Sequence, residues 1–178
     1  PGDVWEYNEL FDKYPKLCGG CIWEWADHVV TVDGVEHYGG DFEGERTHDG
    51  NFCCDGMVFA NREIKAGTLE IRTAYQPIKT SYENEILTVY NRLDFTDLKE
   101  YTFHYHTEID GVIQKAENTS LSVAPHESTT VAIPWEKVSC KLGAHLNIVL
   151  EKDGVIYATC QHELPCTLIE EECPALAE

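Results

Sequence analysis

A chain of 178 residues can form one large domain or two small ones, with enough length to bury a proper core. Its 13 basic residues stand against 32 acidic ones, a net charge of −19 that repels both a nucleic-acid backbone and an anionic lipid surface. No apolar run approaches the ~20 residues that span a bilayer, and PGDVWEYNEL at the start has neither the basic beginning nor the apolar centre of a signal peptide.

Residues 3–14 read as a helix. Asp3 and Glu6 have capping-box spacing, Val4, Tyr7, Phe11 and Tyr14 recur on one face, and Pro15 ends the run. Residues 17–26, LCGGCIWEWA, are mostly apolar with no polar residue before Glu24, which predicts a strand covered on both faces as in a parallel sheet. HVVTVDGVEHYGG predicts a small hairpin turning at Asp33-Gly34. Residues 39–56, rich in Gly and Asp, read as a long loop, and residues 66–76 as a second helix closed by Pro77. Helix followed by buried strand is half of an α/β repeat, and one such repeat cannot form a barrel by itself.

From residue 78 the pattern changes to short alternating runs: EILTVYNRL, EYTFHYHTEI, GVIQKAE, TTVAIPW, AHLNIVLEK and GVIYATCQHE. Asp-Gly pairs at 110–111 and 153–154 join neighbouring runs as hairpins. Six or seven strands without a helix predict an antiparallel β-sandwich of immunoglobulin type. The chain thus divides into residues 1–77, 78–166 and a tail, 167–178.

Four groups of residues offer chemistry. The eight cysteines sit mostly in apolar or strand-like runs, so free, buried thiols in a reducing compartment are expected. Cys18-x-x-Cys21 lacks the second pair that a structural zinc site needs, because Cys53 and Cys54 are adjacent; it reads as small residues packed inside a sheet or barrel. His104 and His106 alternate along one strand and face one side, without an evident third ligand. Trp23 and Trp25 flank Glu24, a spacing that serves a pair of core tryptophans as well as an indole lying under the apolar face of a pyranose. In HDGNFCCDG, residues 48–56, Asp49, Asn51 and Asp55 bring together oxygen ligands suited to a hard cation, or form an ordinary acidic turn.

The order GGCIWEWADH, YGGDF, HDGNFCCDGMVFANR, YQPI and NRLDFTDL resembles the large retaining β-galactosidases of glycoside hydrolase family 2 across nearly the whole chain. The resemblance implies a mixed fold: the terminal helix–strand–helix portion of a catalytic (β/α)8 barrel over residues 1–77, then an immunoglobulin-like β-sandwich domain. In that family two glutamates, roughly 5–5.5 Å apart, act as acid and nucleophile at the ends of barrel strands. Neither matches a glutamate here, Glu6 and Glu24 included, and the nucleophile's segment is expected upstream of Pro1. Trp23 matches the tryptophan under the galactose ring. Phe52, through its carbonyl, and the side chain at Asp55 match ligands of a sodium ion that contacts the sugar's 6-hydroxyl, although well-known members carry Asn at the latter position. A magnesium ion would depend on segments outside this chain.

The expected partners are accordingly a β-galactoside, the remainder of the barrel and further copies of the parent in a homo-oligomer, in a bacterial cytoplasm, with no nucleic acid and no membrane. By itself the chain is expected to be inactive. A different class of function, a β-sandwich carbohydrate-binding or protein-interaction module with a helical extension, predicts that residues from 78 onward bind glycans or a partner as well as the full chain does.

Overall fold

The computed structural model describes residues 3–48, 50 and 52–169. They fall into two compact units, Pro1–Tyr75 and Gln76–Glu178. The tail expected beyond residue 169 lies outside the described residues, as do Asp49 and Asn51.

In the first unit, helix α1 runs Val4–Lys13 and helix α2 runs Ala66–Ala74, the first stopping ahead of Pro15 and the second ahead of Pro77. The expected capping box at α1 does not form: Asp3 is left-handed, with φ 67°, and its side chain makes no cap hydrogen bond. Nor does α1 bury its aromatic face, since Tyr7 and Tyr14 are exposed. Its buried residue is Asn8, which donates its amide to the Ala74 carbonyl at 2.9 Å and ties α1 to the end of α2. Strands β1, Val30–Val32, and β2, Val35–His37, form the expected hairpin. Asp33 and Gly34 have φ 51° and 80°, the two positive values that a type I′ turn demands.

Residues 17–26 correct the sequence reading. They form no strand, and Cys18, Cys21, Trp23 and Trp25 are exposed rather than packed inside. A doubly covered strand needs backbone partners on both sides. Among the described residues this segment meets another stretch of chain on one side only, starting at Glu24, and the backbone hydrogen bond of the apolar run before it is the local one from Leu17 N–H to the Tyr14 carbonyl. From there, residues 24–27 run parallel to residues 55–58, with a bridge between Ala26 and Val58.

The second unit is built of strands. β3, Ile78–Glu83, pairs with β4, Ile86–Asn91, which pairs with β7, Ser128–Ala132. A four-stranded sheet has the order β10, Val155–Glu163; β9, Ala144–Lys152; β5, Thr102–Ile109; β6, Val112–Thr119. Both Asp-Gly pairs turn hairpins in it, with φ 51° and 80° at residues 110 and 111, and 53° and 76° at 153 and 154. The period-2 pattern decides which side faces inward. On β5 the buried set is Phe103, Tyr105 and Thr107, and on β9 it is Ala144, Leu146, Ile148 and Leu150. These pack with Ile78, Leu87 and Val89 of the three-stranded sheet in one core, the hallmark of a β-sandwich.

Three strands escaped the sequence reading. β3 enters its hairpin through Asn84-Glu85, which takes positive φ at both positions (50° and 63°) without a glycine to announce it. β8, Val138–Cys140, and β11, Cys166–Leu168, are three residues each and pair in parallel. Thr167 and Leu168, read as the start of a tail, are thus strand residues, and Ile169 donates its N–H to the Cys140 carbonyl at 2.8 Å.

The cysteine expectation holds in one respect. The seven described cysteines are free, but Cys18, Cys21 and Cys54 are exposed, while Cys53 and Cys140 are buried.

Candidate functional site

The place where residues 24–28 meet residues 53–58 gathers the predicted site residues of the first unit. Five backbone hydrogen bonds lace the two segments together: Glu24 N–H to Asp55 O (3.2 Å), Met57 N–H to Glu24 O (2.7 Å), Val58 N–H to Trp25 O (3.0 Å), Asp27 N–H to Val58 O (3.1 Å) and His28 N–H to Cys53 O (3.0 Å). Gly56 makes this approach possible, because a Cβ there would overlap Asp27 N and the Ala26 backbone. Asp27 locks the crossing from its side. Its Oδ1 accepts from Gly56 N–H at 2.9 Å and from Lys65 Nζ at 2.5 Å, and Lys65 also reaches the Cys54 carbonyl at 3.2 Å.

Trp23 is therefore held one residue from a pinned backbone, yet its side chain is 75% exposed. Trp25 is also exposed and Glu24 is half-buried, so burial alternates here although no strand forms. The peptide bond between Trp23 and Glu24 is cis. Asp55 is half-buried, with its carbonyl on Glu24 N–H. Phe52, three residues earlier in the same turn, exposes its ring. The backbone of Glu24, the residue after Trp23, is thus bonded to that of Asp55, and Phe52 precedes Cys53, the residue that accepts from His28. Burial and the neighbouring Cys54 thiol, 3.5 Å away, push the Cys53 thiol pKa up, which keeps it protonated.

Two oxygens at this crossing, Glu24 Oε1 and Asp55 Oδ1, are buried without a hydrogen-bond partner among the described residues. His28 Nε2 lies against the first, as an ion pair whenever the ring is protonated. The ligating atoms of Glu24, His28 and Asp55 all lie within 4.8 Å of one another. Sequence reasoning weighed Glu24 only as a catalytic carboxylate and passed over His28. No spacing rule links residue 24 to residue 55; the link is a backbone pairing that sequence does not display.

His104 and His106 share the face of β5 opposite its buried side chains. His104 Nδ1 pairs with Asn118 Oδ1 at 2.7 Å, and no third metal ligand joins the two histidines among the described residues.

Comparison with known proteins gives matches in both halves of the chain. Residues 1–80 match the family model "Glycosyl hydrolases family 2, TIM barrel domain", and residues 87–165 match "Beta-galactosidase, domain 4". The chain belongs to glycosyl hydrolase family 2. Within it, a β-galactosidase of Actinobacillus pleuropneumoniae is 39% identical over 76% of this chain and 14% of its own length. One of Staphylococcus xylosus is 37% identical over 74% of the chain and 14% of its own length. One of Kluyveromyces lactis is 35% identical over 93% and 16%. The chain therefore spans about one-seventh of the length of the family 2 relatives it matches. Among its described residues no helix is long and apolar enough to cross a membrane.

Proposed function

We propose that this chain is part of a retaining β-galactosidase that hydrolyses terminal non-reducing β-D-galactosides, and that it contributes one wall of the sugar pocket rather than the acid or the nucleophile. The observation that carries the reading is the exposed Trp23, next in the chain to Glu24, whose backbone N–H is bonded to the Asp55 carbonyl. A flat apolar ring takes the C–H face of a pyranose, and a nearby carboxylate or its bound cation takes a hydroxyl. Residues 1–77 are read as the last helix–strand–helix portion of the catalytic barrel, and the exposed apolar side chains of residues 17–35 as surfaces that the remaining barrel covers. The strand order β3-β4-β7 and β10-β9-β5-β6 supports an immunoglobulin-type sandwich after it.

Sodium is the cation proposed for the sugar site. The fit test is Asp55 Oδ1, a buried carboxylate oxygen that lacks a donor, with carbonyl oxygens in the same turn; all-oxygen donors suit a hard cation. Asp55 and the Phe52 carbonyl would hold it, and bound there it would neutralise Asp55 and orient a sugar hydroxyl. Free thiols support a reducing cytoplasm, and a homo-oligomeric parent completes the reading.

The test is Trp23→Ala in the full-length enzyme that carries this sequence, assayed on an aryl β-galactoside. Loss of an apolar contact to the sugar lowers kcat/KM by about 10–200-fold. An unchanged kcat/KM overturns the reading, as does galactoside turnover by the purified 178 residues.

A further inference from the structure

The crossing holds a second chemistry that the sugar-site reading does not require. We infer that Glu24, His28 and Asp55 form a binding site for a divalent first-row transition-metal ion. One imidazole nitrogen and two carboxylate oxygens converge within 4.8 Å. Two of the three atoms, Glu24 Oε1 and Asp55 Oδ1, are buried and accept no hydrogen bond among the described residues. Buried carboxylate oxygens without donors are costly, and such oxygens in native proteins have a partner, whether a donor, a proton or a cation.

The contact between His28 and Glu24 accounts for one of these oxygens at most. An imidazolium carries one positive charge and one proton toward this side, which leaves Asp55 Oδ1 unsatisfied and the pair of carboxylates still net negative. A dication satisfies both oxygens and uses the imidazole as a neutral ligand. The Lys65 ammonium does not substitute for it, because that group is engaged by Asp27 and the Cys54 carbonyl.

The frame is built for the purpose. All three ligands stand on backbone held by the lacing between residues 24–28 and 53–58, so their Cα positions are fixed before a metal arrives. Only side-chain rotations remain. His28 is the exposed member, and small rotations of the three side chains bring their ligand atoms to metal–ligand distances of about 2.0–2.2 Å. Three protein ligands leave coordination positions open to water. The imidazole separates this site from a hard-cation site: nitrogen and oxygen donors together favour zinc, nickel, cobalt or manganese over sodium and magnesium. This ion and the sodium proposed above both draw on Asp55 Oδ1, so the two are competing occupants and the titration is run in potassium.

Manganese is the probe of choice, because exposed Cys18, Cys21 and Cys54 would draw zinc or cobalt to their sulfurs while Mn²⁺ prefers oxygen and nitrogen. The 178-residue chain is titrated with Mn²⁺ in potassium buffer, with free Mn²⁺ followed by electron paramagnetic resonance. One strong site is expected above the diffuse binding of an acidic protein. Glu24→Gln and His28→Ala each weaken it about tenfold or more, and Glu36→Gln, the same charge change on strand β2, leaves it intact. As a measurement that needs no variant, Zn²⁺ added to alkylated protein shifts the His28 ring-nitrogen resonance at one equivalent. Superimposable isotherms for all four proteins, or an unshifted His28 ring, overturn the inference. Replacing potassium by sodium reads the hard-cation proposal separately: competition at Asp55 weakens Mn²⁺ binding in sodium, and equal isotherms in the two salts count against the sodium site and not against this one.

Discussion

The two units are held together by different means. Among the described residues, the second has fourteen buried side chains in a single core, from both sheets and the segments joining their strands, among them Leu87, Phe103, Leu146 and Ile148, each about 1% exposed or less. The first buries Ala26, Cys53, Val58 and Ala74, with Asn8 as its buried polar residue, and leaves Leu10, Trp23, Val30, Ile64 and Leu69 exposed. The sandwich rests on apolar burial between sheets; the first unit rests on backbone lacing and a few polar locks such as Asp27–Lys65. Where two alternating strands meet face to face within one unit, sequence pattern becomes core. Where an apolar run has few partners within its unit, it stays exposed.

The largest test of that difference is a pair of truncations. Leu146→Ala removes a fully buried side chain from the centre of β9 and costs about 2–5 kcal/mol, whereas Leu69→Ala, at a residue 59% exposed on α2, changes stability by about 0.5 kcal/mol or less. Urea titrations with residue-resolved hydrogen exchange read both. Equal costs would mean that the first unit has an apolar core after all.

A second test asks how much polar satisfaction matters inside the sandwich. Asn91 is fully buried at the end of β4. Its amide donates to the Thr96 and Val123 carbonyls, both at 2.9 Å, and its Oδ1 accepts from Leu93 N–H at 2.9 Å. Asn91→Leu keeps the volume and orphans three backbone groups, for an expected loss of about 1–3 kcal/mol by urea titration. A neutral result would mean that water replaces the amide.

Gly56→Ala gives the corresponding result for the first unit. A methyl at this position meets the Ala26–Asp27 backbone, so the amides of residues 24–28 and 57–58 exchange at least about tenfold faster. The amides of Phe103 and Ile148 should not change. An acceleration spread evenly over the chain, or none at residue 24, contradicts lacing as the element that holds the site.

The same contrast explains what the sequence made legible. Strands β4, β5, β6, β7, β9 and β10 were readable, because alternation and Asp-Gly turns act over a few residues and their partners lie in the same unit. The hairpin at Asn84-Glu85 was not, since nothing in those side chains advertises positive φ. Residues 17–26 misled for the opposite reason. Their composition is that of a doubly covered strand, and composition does not say whether the covering elements are present. At the site, Trp23 and Asp55 were picked out by spacing and composition and given roles by motif resemblance, whereas Glu24 and His28 stood beside Asp55 only once the backbone pairing was seen.

The smallest expected effect is pH dependence, and it too should separate the units. His162 on β10 shares a 2.8 Å hydrogen bond with Thr80 Oγ1 of β3, and partial burial lowers its pKa below the ordinary 6.5. The folded protein thus keeps this ring neutral at a pH where the unfolded chain has already bound a proton. Stability from this group is complete above about pH 6.5 and falls away as pH drops from there through the folded value. Asp97 and Asp110, whose carboxylates are held low chiefly by backbone N–H donors at Lys99 and at Lys141–Gly143, lose their contributions only below about pH 4. The window between the two is therefore where His162 can be read. His162→Gln retains an amide for Thr80 but has no proton to gain, so the sandwich's stability should flatten between pH 5 and pH 7 in the variant, read from the exchange of its core amides. A slope that persists unchanged in His162→Gln would assign the effect to other groups, and a matching slope in the amides of residues 24–28 would show that the two units do not unfold independently.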